Sequence, residues 1–191
     1  MRRSSVKLPV RAGARPIKVR PGTAADAEAL YALINDHRAE GHLLPRDLDD
    51  VRRRASRFVV GEAGGILQAC AELAPLSRSV AEVRSLVVAT RARGRGVATR
   101  LLDQLRRRAV DEGYETLAAF THDPRFFVRQ NFSLVPHQWV PEKIARDCAA
   151  CPLFRRCGQH AMVVSLTRER ENGFYAARDI EHVEDRRAAV A

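Results

Sequence analysis

Lysine is nearly missing from this chain. Only Lys7, Lys18 and Lys143 are lysines among 33 basic residues, so a formal net charge of +10 rests on arginine. Aromatic side chains are also scarce, at 6% of the sequence. With arginines spread along the whole chain and no nucleic-acid motif present, the positive charge reads as solvated helix faces, such as Arg52-Arg53-Arg54 and Arg106-Arg107-Arg108, and not as a nucleic-acid partner. No apolar run approaches the roughly 18 residues that span a bilayer, so no membrane partner is expected. The opening MRRSSVKLPVRAGARP is basic but lacks the apolar stretch of a signal peptide, which gives the expectation of a cytoplasmic protein. Repeats and low-complexity stretches are absent.

What is present suits one globular domain. The 191 residues are 46% hydrophobic and 29% charged, enough to enclose a core. Residues 1–15 read as a disordered basic tail, 16–167 as the domain, and 168–191 as a charged tail. Ile17 to Arg20 reads as a strand closed by Pro21-Gly22, and Thr23 with Asp26 reads as a helix cap. A second helix is expected after Pro45-Arg46. Arg57 to Glu62, Ile66 to Leu73 and Ala81 to Val88 read as strands, the first two joined at Gly64-Gly65. Val97, Leu101, Leu105 and Ala109 recur every four residues, the stripe of an amphipathic helix that ends at Gly113. Thr116 to Thr121 reads as a fifth strand. A helical turn at Arg125 to Gln130 and strands at Phe132 to Val135 and His160 to Leu166 complete the chain.

The most informative stretch joins the fourth strand to the long helix. Arg93, Gly94, Arg95, Gly96, Val97, Ala98 and Thr99 form a glycine-bearing turn that opens directly into the helix. Glycine permits positive φ and close backbone approach. The free N–H groups of a helix's first turn, aided by the dipole, make a site for a pyrophosphate. Arg91, Arg93 and Arg95 add positive charge there. Neither a Walker loop nor a dinucleotide fingerprint matches.

A second oddity lies in the fourth strand itself. Strict alternation places Val80, Glu82, Arg84, Leu86 and Val88 on one face and Ser85 on the other. Two charges among apolar residues need an explanation, because an unpaired buried charge is costly. Either Glu82 and Arg84 pair with each other, or they serve chemistry. A carboxylate can take a proton from an ammonium. An arginine can hold a carboxylate by two parallel hydrogen bonds.

Arg93-x-x-Gly96-x-Ala98 resembles the acetyl-CoA-binding motif of the GNAT acetyltransferases, Arg/Gln-x-x-Gly-x-Gly/Ala. Three further stretches narrow the resemblance to short-form N-acetylglutamate synthases: Leu43-Leu44-Pro45-Arg46-Asp47-Leu48 with Arg57-Phe58-Val59-Val60; Thr121-His122-Asp123-Pro124-Arg125-Phe126-Phe127 through Phe132; and Pro141-Glu142-Lys143-Ile144 followed by Asp147-Cys148, Cys151-Pro152-Leu153-Phe154 and Cys157. The likeness runs from about Ile17 to Leu166. It departs at His122, where an Arg is usual, at Asn131 in place of Gly, and at Gln159 in place of Glu.

This resemblance implies an α/β (α+β) GNAT fold. Its sheet is mixed, mostly antiparallel, of six to seven strands, splayed at the central parallel strands, with helices on both faces. It implies acetyl-CoA as cosubstrate, held by Leu86, Val87 and Val88 along the splayed strand and by Arg93 to Thr99 at the pyrophosphate. It implies Glu82 as general base, directly or through water, and L-glutamate as acceptor, held by Arg84, Ser85, Thr121, Arg129 and Arg46. The product, N-acetyl-L-glutamate, opens arginine biosynthesis. Backbone N–H near Val88 would face the developing oxyanion. No tyrosine stands near Phe126-Phe127 to protonate the departing thiolate, which is a tolerable leaving group by itself. The arginine-sensing kinase-like domain of the two-domain synthases is not expected here. A homodimer stays open, as do acetylation of another amine and a non-catalytic regulatory or nucleic-acid-binding module.

Cys148, Cys151, Cys157 and His160 stand in C-x2-C-x5-C-x2-H order. Such spacing suits a structural zinc, reduced packing thiols or a redox pair, and the sequence leaves these open. Cys70, alone in an apolar strand, reads as core.

Overall fold

The computed structural model describes residues 15–38, 43 and 45–167. The two tails expected at 1–15 and 168–191 lie outside these residues, apart from Arg15. Seven strands form one sheet in the order β1-β2-β3-β4-β5-β7-β6. They are β1 (Lys18–Pro21), β2 (Phe58–Ala63), β3 (Ile66–Pro75), β4 (Val80–Val88), β5 (Thr116–Thr121), β6 (Ser133–Val135) and β7 (His160–Ser165). Only β4 and β5 run parallel; all other neighbours are antiparallel.

Helices α1 (Ala27–Asp36) and α2 (Leu48–Arg54) cover one face. The 15-residue α3 (Val97–Asp111) covers the other. Alternate residues of β3 divide between them. Ala69, Ala71 and Leu73 join Leu101, Leu102 and Leu105 of α3, while Cys70 joins Leu30, Ile34 and Val51 from α1 and α2. This is the expected two-sided packing of helices on a mixed sheet. A short α4 (Arg125–Arg129) leads into β6, and α5 (Pro141–Lys143) runs on into a wider turn at Ile144–Cys148, where the Ala149 N–H reaches back to the Ile144 carbonyl.

Local chemistry explains the boundaries. Asp26 accepts from the Thr23 N–H and hydroxyl at 2.8 and 2.9 Å, as the capping pair predicts, although Ala24–Asp26 forms a 3-10 turn ahead of α1. Asp47 caps α2 by accepting from the Asp50 N–H. Gly64 and Gly65 both take positive φ, the conformation a two-residue hairpin demands between β2 and β3. Asn131 also has positive φ, at 63°, which accounts for the glycine usual at that position in the resembled sequences.

The decisive irregularity is in β4. Glu72 pairs with Arg84 and Cys70 with Val87, so Ser85 and Leu86 together oppose the single residue Ala71. This is a β-bulge, and Ser85 carries it at φ 49°. The extra residue reverses the facing of everything beyond it. Strict alternation therefore fails: Glu82 and Arg84 share a face, but Leu86 and Val88 pack with Ala81 and Val83 on the α3 side. On the other edge, β4 pairs with β5 only from Val80↔Thr116 to Val83↔Ala119. Past Val83 the two parallel strands share no ladder, and the sheet opens into a gap.

Candidate active site

The gap and the glycine turn meet at the end of β4. A 3-10 turn at Thr90–Ala92 leads to Gly94 at φ 72° and Gly96 at φ 68°, the latter serving as the N-cap of α3. A Cβ at either glycine would touch nothing within 4 Å. Glycine is therefore required by backbone conformation, and the space above the turn is open. The first N–H groups of α3 have no intrahelical acceptor by construction and face this opening with the positive end of the dipole.

Val97, Ala98 and Thr99 contribute backbone. Val97 itself is buried against Gly61, fixing the helix start to β2. The arginines of the turn fold along its rim. Arg93 Nε donates to the Val88 carbonyl at 3.1 Å, Arg95 to the Arg15 carbonyl at 2.8 Å, and Arg91 to Gln68 Oε1 at 2.5 Å. Leu86, Val87 and Val88 line the β4 side of the gap, with Val87 alone facing α1 and α2. A glycine turn of open shape, a dipole end, flanking guanidiniums and an unzipped strand suit a pyrophosphate followed by an extended, hydrogen-bonding arm, which is the chemistry of coenzyme A.

On the α1–α2 side of the sheet, next to the bulge, lies a cluster of buried and half-buried charges. Glu82 is 3% exposed. It accepts from Arg84 Nε at 2.6 Å and from Lys143 Nζ at 2.8 and 3.0 Å, so both of its oxygens are engaged. Asp147, one helical turn after Lys143, accepts from Lys143 at 2.9 Å and pairs with Arg84. Burial by itself would raise Asp147, but the Lys143 hydrogen bond and the charges of Arg84, Lys143 and Arg146 outweigh it and leave its carboxyl below the ordinary value. Burial likewise works against the Arg84 cation, and the charge and hydrogen bond of Glu82 more than offset it.

A second half of the cluster adjoins. Glu72, with no exposed surface, accepts from Arg46 Nη1 at 2.8 Å. Arg46 also donates to Ser85 Oγ at 3.2 Å and to Asp50 at 2.9 Å. The hydroxyl of Ser85 thus lies with Arg46, on the Glu72 side, and not across the sheet from Glu82 and Arg84 as alternation placed it. The bulge is the reason. Burial works against the Arg46 cation, but Glu72 and Asp50 more than compensate.

Among the expected site residues, Glu82, Arg84, Ser85 and Arg46 therefore come together. Two others do not join their contacts. Arg129 is exposed on α4, in the electrostatic reach of Asp123. Thr121 spends its hydroxyl on the Asp123 backbone within its own loop. Glu72, Lys143 and Asp147 were missed as site residues. Glu72 had a signal, a lone acid in the apolar run LQACAELAP; the other two stood inside the resembled segment without an assigned role.

A structural zinc, one of the three readings left open for the cysteine segment, gains no support from the structure. Among the described residues no three of His, Cys, Asp and Glu come together as a metal set. Cys157 is exposed, Cys148 ends the wide turn, and His160 opens β7 paired with Thr121. Burial pushes Cys148 up, and pushes Cys70 up to about 12, so Cys70 is a core thiol and not a nucleophile. No described helix is long and apolar enough to cross a membrane.

A sheet unzipped at its one parallel pair, with a phosphate-ready turn at the end of the opened strand, defines a fold for acyl transfer from coenzyme A. The model of the acetyltransferase (GNAT) family matches residues 25–132, and the chain belongs to that family. It is an acetyl-CoA-dependent N-acetyltransferase. The chain is 29% identical over 148 residues to an uncharacterized N-acetyltransferase of Chlorobaculum tepidum, covering 78% of this chain and 96% of that one. It is 32% identical over 126 residues to an amino-acid acetyltransferase of Ralstonia nicotianae, covering 65% of this chain but 28% of the longer relative. Among solved structures, N-acetylglutamate synthase from Neisseria gonorrhoeae, complexed with coenzyme A and N-acetyl-glutamate, superposes with TM-score 0.71 at 24% identity, over 81% of this chain and 36% of that one. Rv2747 from Mycobacterium tuberculosis, in complex with CoA, gives 0.68 at 20% identity, over 78% and 98%.

Proposed function

We propose that the chain transfers the acetyl group of acetyl-CoA to the α-amino group of L-glutamate. The observation that carries this reading is a buried carboxylate, Glu82, paired with the half-buried guanidinium of Arg84, with a second half-buried guanidinium, Arg46, on the adjoining Glu72, beside the opened end of β4. Such a set offers a partner to an ammonium and separate partners to two carboxylates. The similarity to an amino-acid acetyltransferase across 65% of the chain supports an amino acid as acceptor, and the resembled short-form synthase segments support glutamate. In this reading the product feeds arginine biosynthesis.

Acetyl-CoA supplies an activated acyl carbon. Its pyrophosphate would sit on the amides of Gly94 to Thr99, and its arm along Leu86 to Val88. Arg84 orients the acceptor through a carboxylate. Glu82 takes a proton from the acceptor's ammonium, directly or through water. The freed amine attacks the thioester carbonyl, the C–N bond forms, the C–S bond breaks, and the thiolate leaves and takes up a proton. No acetyl-enzyme is involved, since the Cys70 thiol is held neutral in the core. Arg46, tied to Glu72 and Asp50, offers a cation for the second carboxylate, in place of Arg129.

Steady-state acetylation across the amino acids tests the reading. Glutamate should give the highest kcat/KM. Glutamate no better than alanine removes it.

A further inference from the structure

The Glu82–Arg84 half of the cluster is saturated from within. Lys143 and Asp147, four residues apart on one helical turn, bring an ammonium and a carboxylate to the two groups assigned to the acceptor. Lys143 Nζ takes both oxygens of Glu82 at 2.8 and 3.0 Å. The Asp147 carboxylate takes Arg84. The match in sign and chemistry is complete: cation on carboxylate, anion on guanidinium, the two bridged by their own 2.9 Å contact. The turn is seated firmly. The Lys143 side chain is 12% exposed and lies 5.0 Å over the Phe120 ring, and Arg146 reaches the Pro75 carbonyl.

We infer that the Lys143–Asp147 turn is a tethered stand-in for a zwitterionic acceptor, and that displacing it makes the enzyme selective for amino acids over simple amines. The inference rests on Glu82 and Arg84 being the acceptor's partners. A free amine can replace Lys143 on Glu82, but it leaves Arg84 with nothing to exchange for Asp147, so the turn stays. An α-amino acid replaces both contacts at once. An internal competitor that fills the site most of the time weakens apparent affinity by the fraction of molecules left competent. It also rejects incomplete ligands, because they strand a buried charge.

Among the described residues, Glu82 and Arg84 from β4 face the turn, Glu72 from β3 acts through its field on Arg84, and Cys151 and Cys157 lie in the electrostatic reach of Cys148 at its end. Neither Lys143 nor Asp147 is needed for proton transfer in the proposed reaction, so removing them should act on KM and selectivity, not on the chemical step.

The test uses the full chain with Asp147→Asn and Lys143→Gln, each close in shape to the native residue. Hydrogen exchange of residues 141–148, measured with CoA and no acceptor, should quicken in both variants by about tenfold, the size expected when a turn held nine-tenths of the time is released. In Asp147→Asn the KM for the preferred amino acid should fall about tenfold with kcat held, and the preference for that amino acid over its decarboxylated amine should shrink by a similar factor. A rise in KM, or a segment as protected in both variants as in the wild type, overturns the inference by making these residues fixed walls of the site. If an amino acid other than glutamate proves to be the substrate and shows the same fall in KM, the glutamate assignment fails while the stand-in holds.

Discussion

Arg46 Nη1 stands 2.8 Å from Glu72 Oε2, and that carboxylate has no exposed surface at all. The pair ties the loop before α2 to the middle of β3, across 26 positions of sequence. The other oxygen of Glu72 has no hydrogen-bond partner among the described residues, and Arg54 stands 3.7 Å from it. Glu72 therefore depends on Arg46 for most of its compensation.

Removing Arg46 should accordingly cost more than an ordinary surface change. Arg46→Met is expected to lower the free energy of unfolding in urea by about 3–5 kcal/mol, the cost of leaving a buried charge unpaired. Adding Glu72→Gln should restore part of that loss. A double variant as unstable as the sum of the two single ones would show that the residues are not coupled.

Glu82→Gln keeps the shape of the side chain but cannot accept a proton, and its amide nitrogen gives up the acceptor contacts of one carboxylate oxygen. Its kcat/KM should fall by about 10²–10⁴-fold while acetyl-CoA binding by calorimetry stays at the wild-type value. Loss of CoA binding together with turnover would point to a structural part for Glu82.

Gly96 is held at φ 68° with open space around it. Gly96→Ala should therefore act through conformation, costing about 1–2 kcal/mol for a left-handed alanine. Because the same amides would hold the pyrophosphate in the proposed binding mode, the Kd for CoA should weaken as stability drops. A variant that binds CoA normally would place the diphosphate elsewhere.

Asp26 predicts the acid limb of stability. The hydrogen bond from Arg20 holds its carboxyl down at about 2; burial opposes this and the Thr23 bonds reinforce it. A carboxyl lowered in the folded state from 3.8 stabilises the fold above that value, and the contribution disappears as pH falls through about 2. Asp26→Asn should flatten the fall of Tm between these limits while leaving its slope above pH 5 alone. An unchanged acid limb would mean that other carboxylates control it.

The sequence carried the fold because its signals were local and mutually consistent. The four-residue stripe of Leu101, Leu105 and Ala109, the Gly64-Gly65 hairpin and the Thr23–Asp26 cap each reported an element that the structure contains. The site was legible only in part. Counting by twos put Glu82 and Arg84 on one face, which holds, but the bulge at Ser85 changes the count, so Leu86, Val88 and the Ser85 hydroxyl came out reversed. No local pattern announces a bulge when a serine and not a glycine carries the positive φ. Lys143 and Asp147 reach the site across 61 and 63 positions, through the packing of a turn that sequence periodicity does not describe. The cysteine spacing left a metal, packing thiols and a redox pair open, because spacing alone does not place side chains in space.

The cationic rim of the glycine turn is built from guanidinium, with Arg91, Arg93 and Arg95 around it, while the ammonium of Lys143 is held on Glu82 and Asp147. A catalyst that makes amides from amines next to a reactive thioester gains something particular from that choice. Guanidinium stays protonated and offers no lone pair to an acyl carbon, whereas every lysine in its place would be a rival nucleophile. The rim supplies positive potential for a polyphosphate without competing for the acyl group.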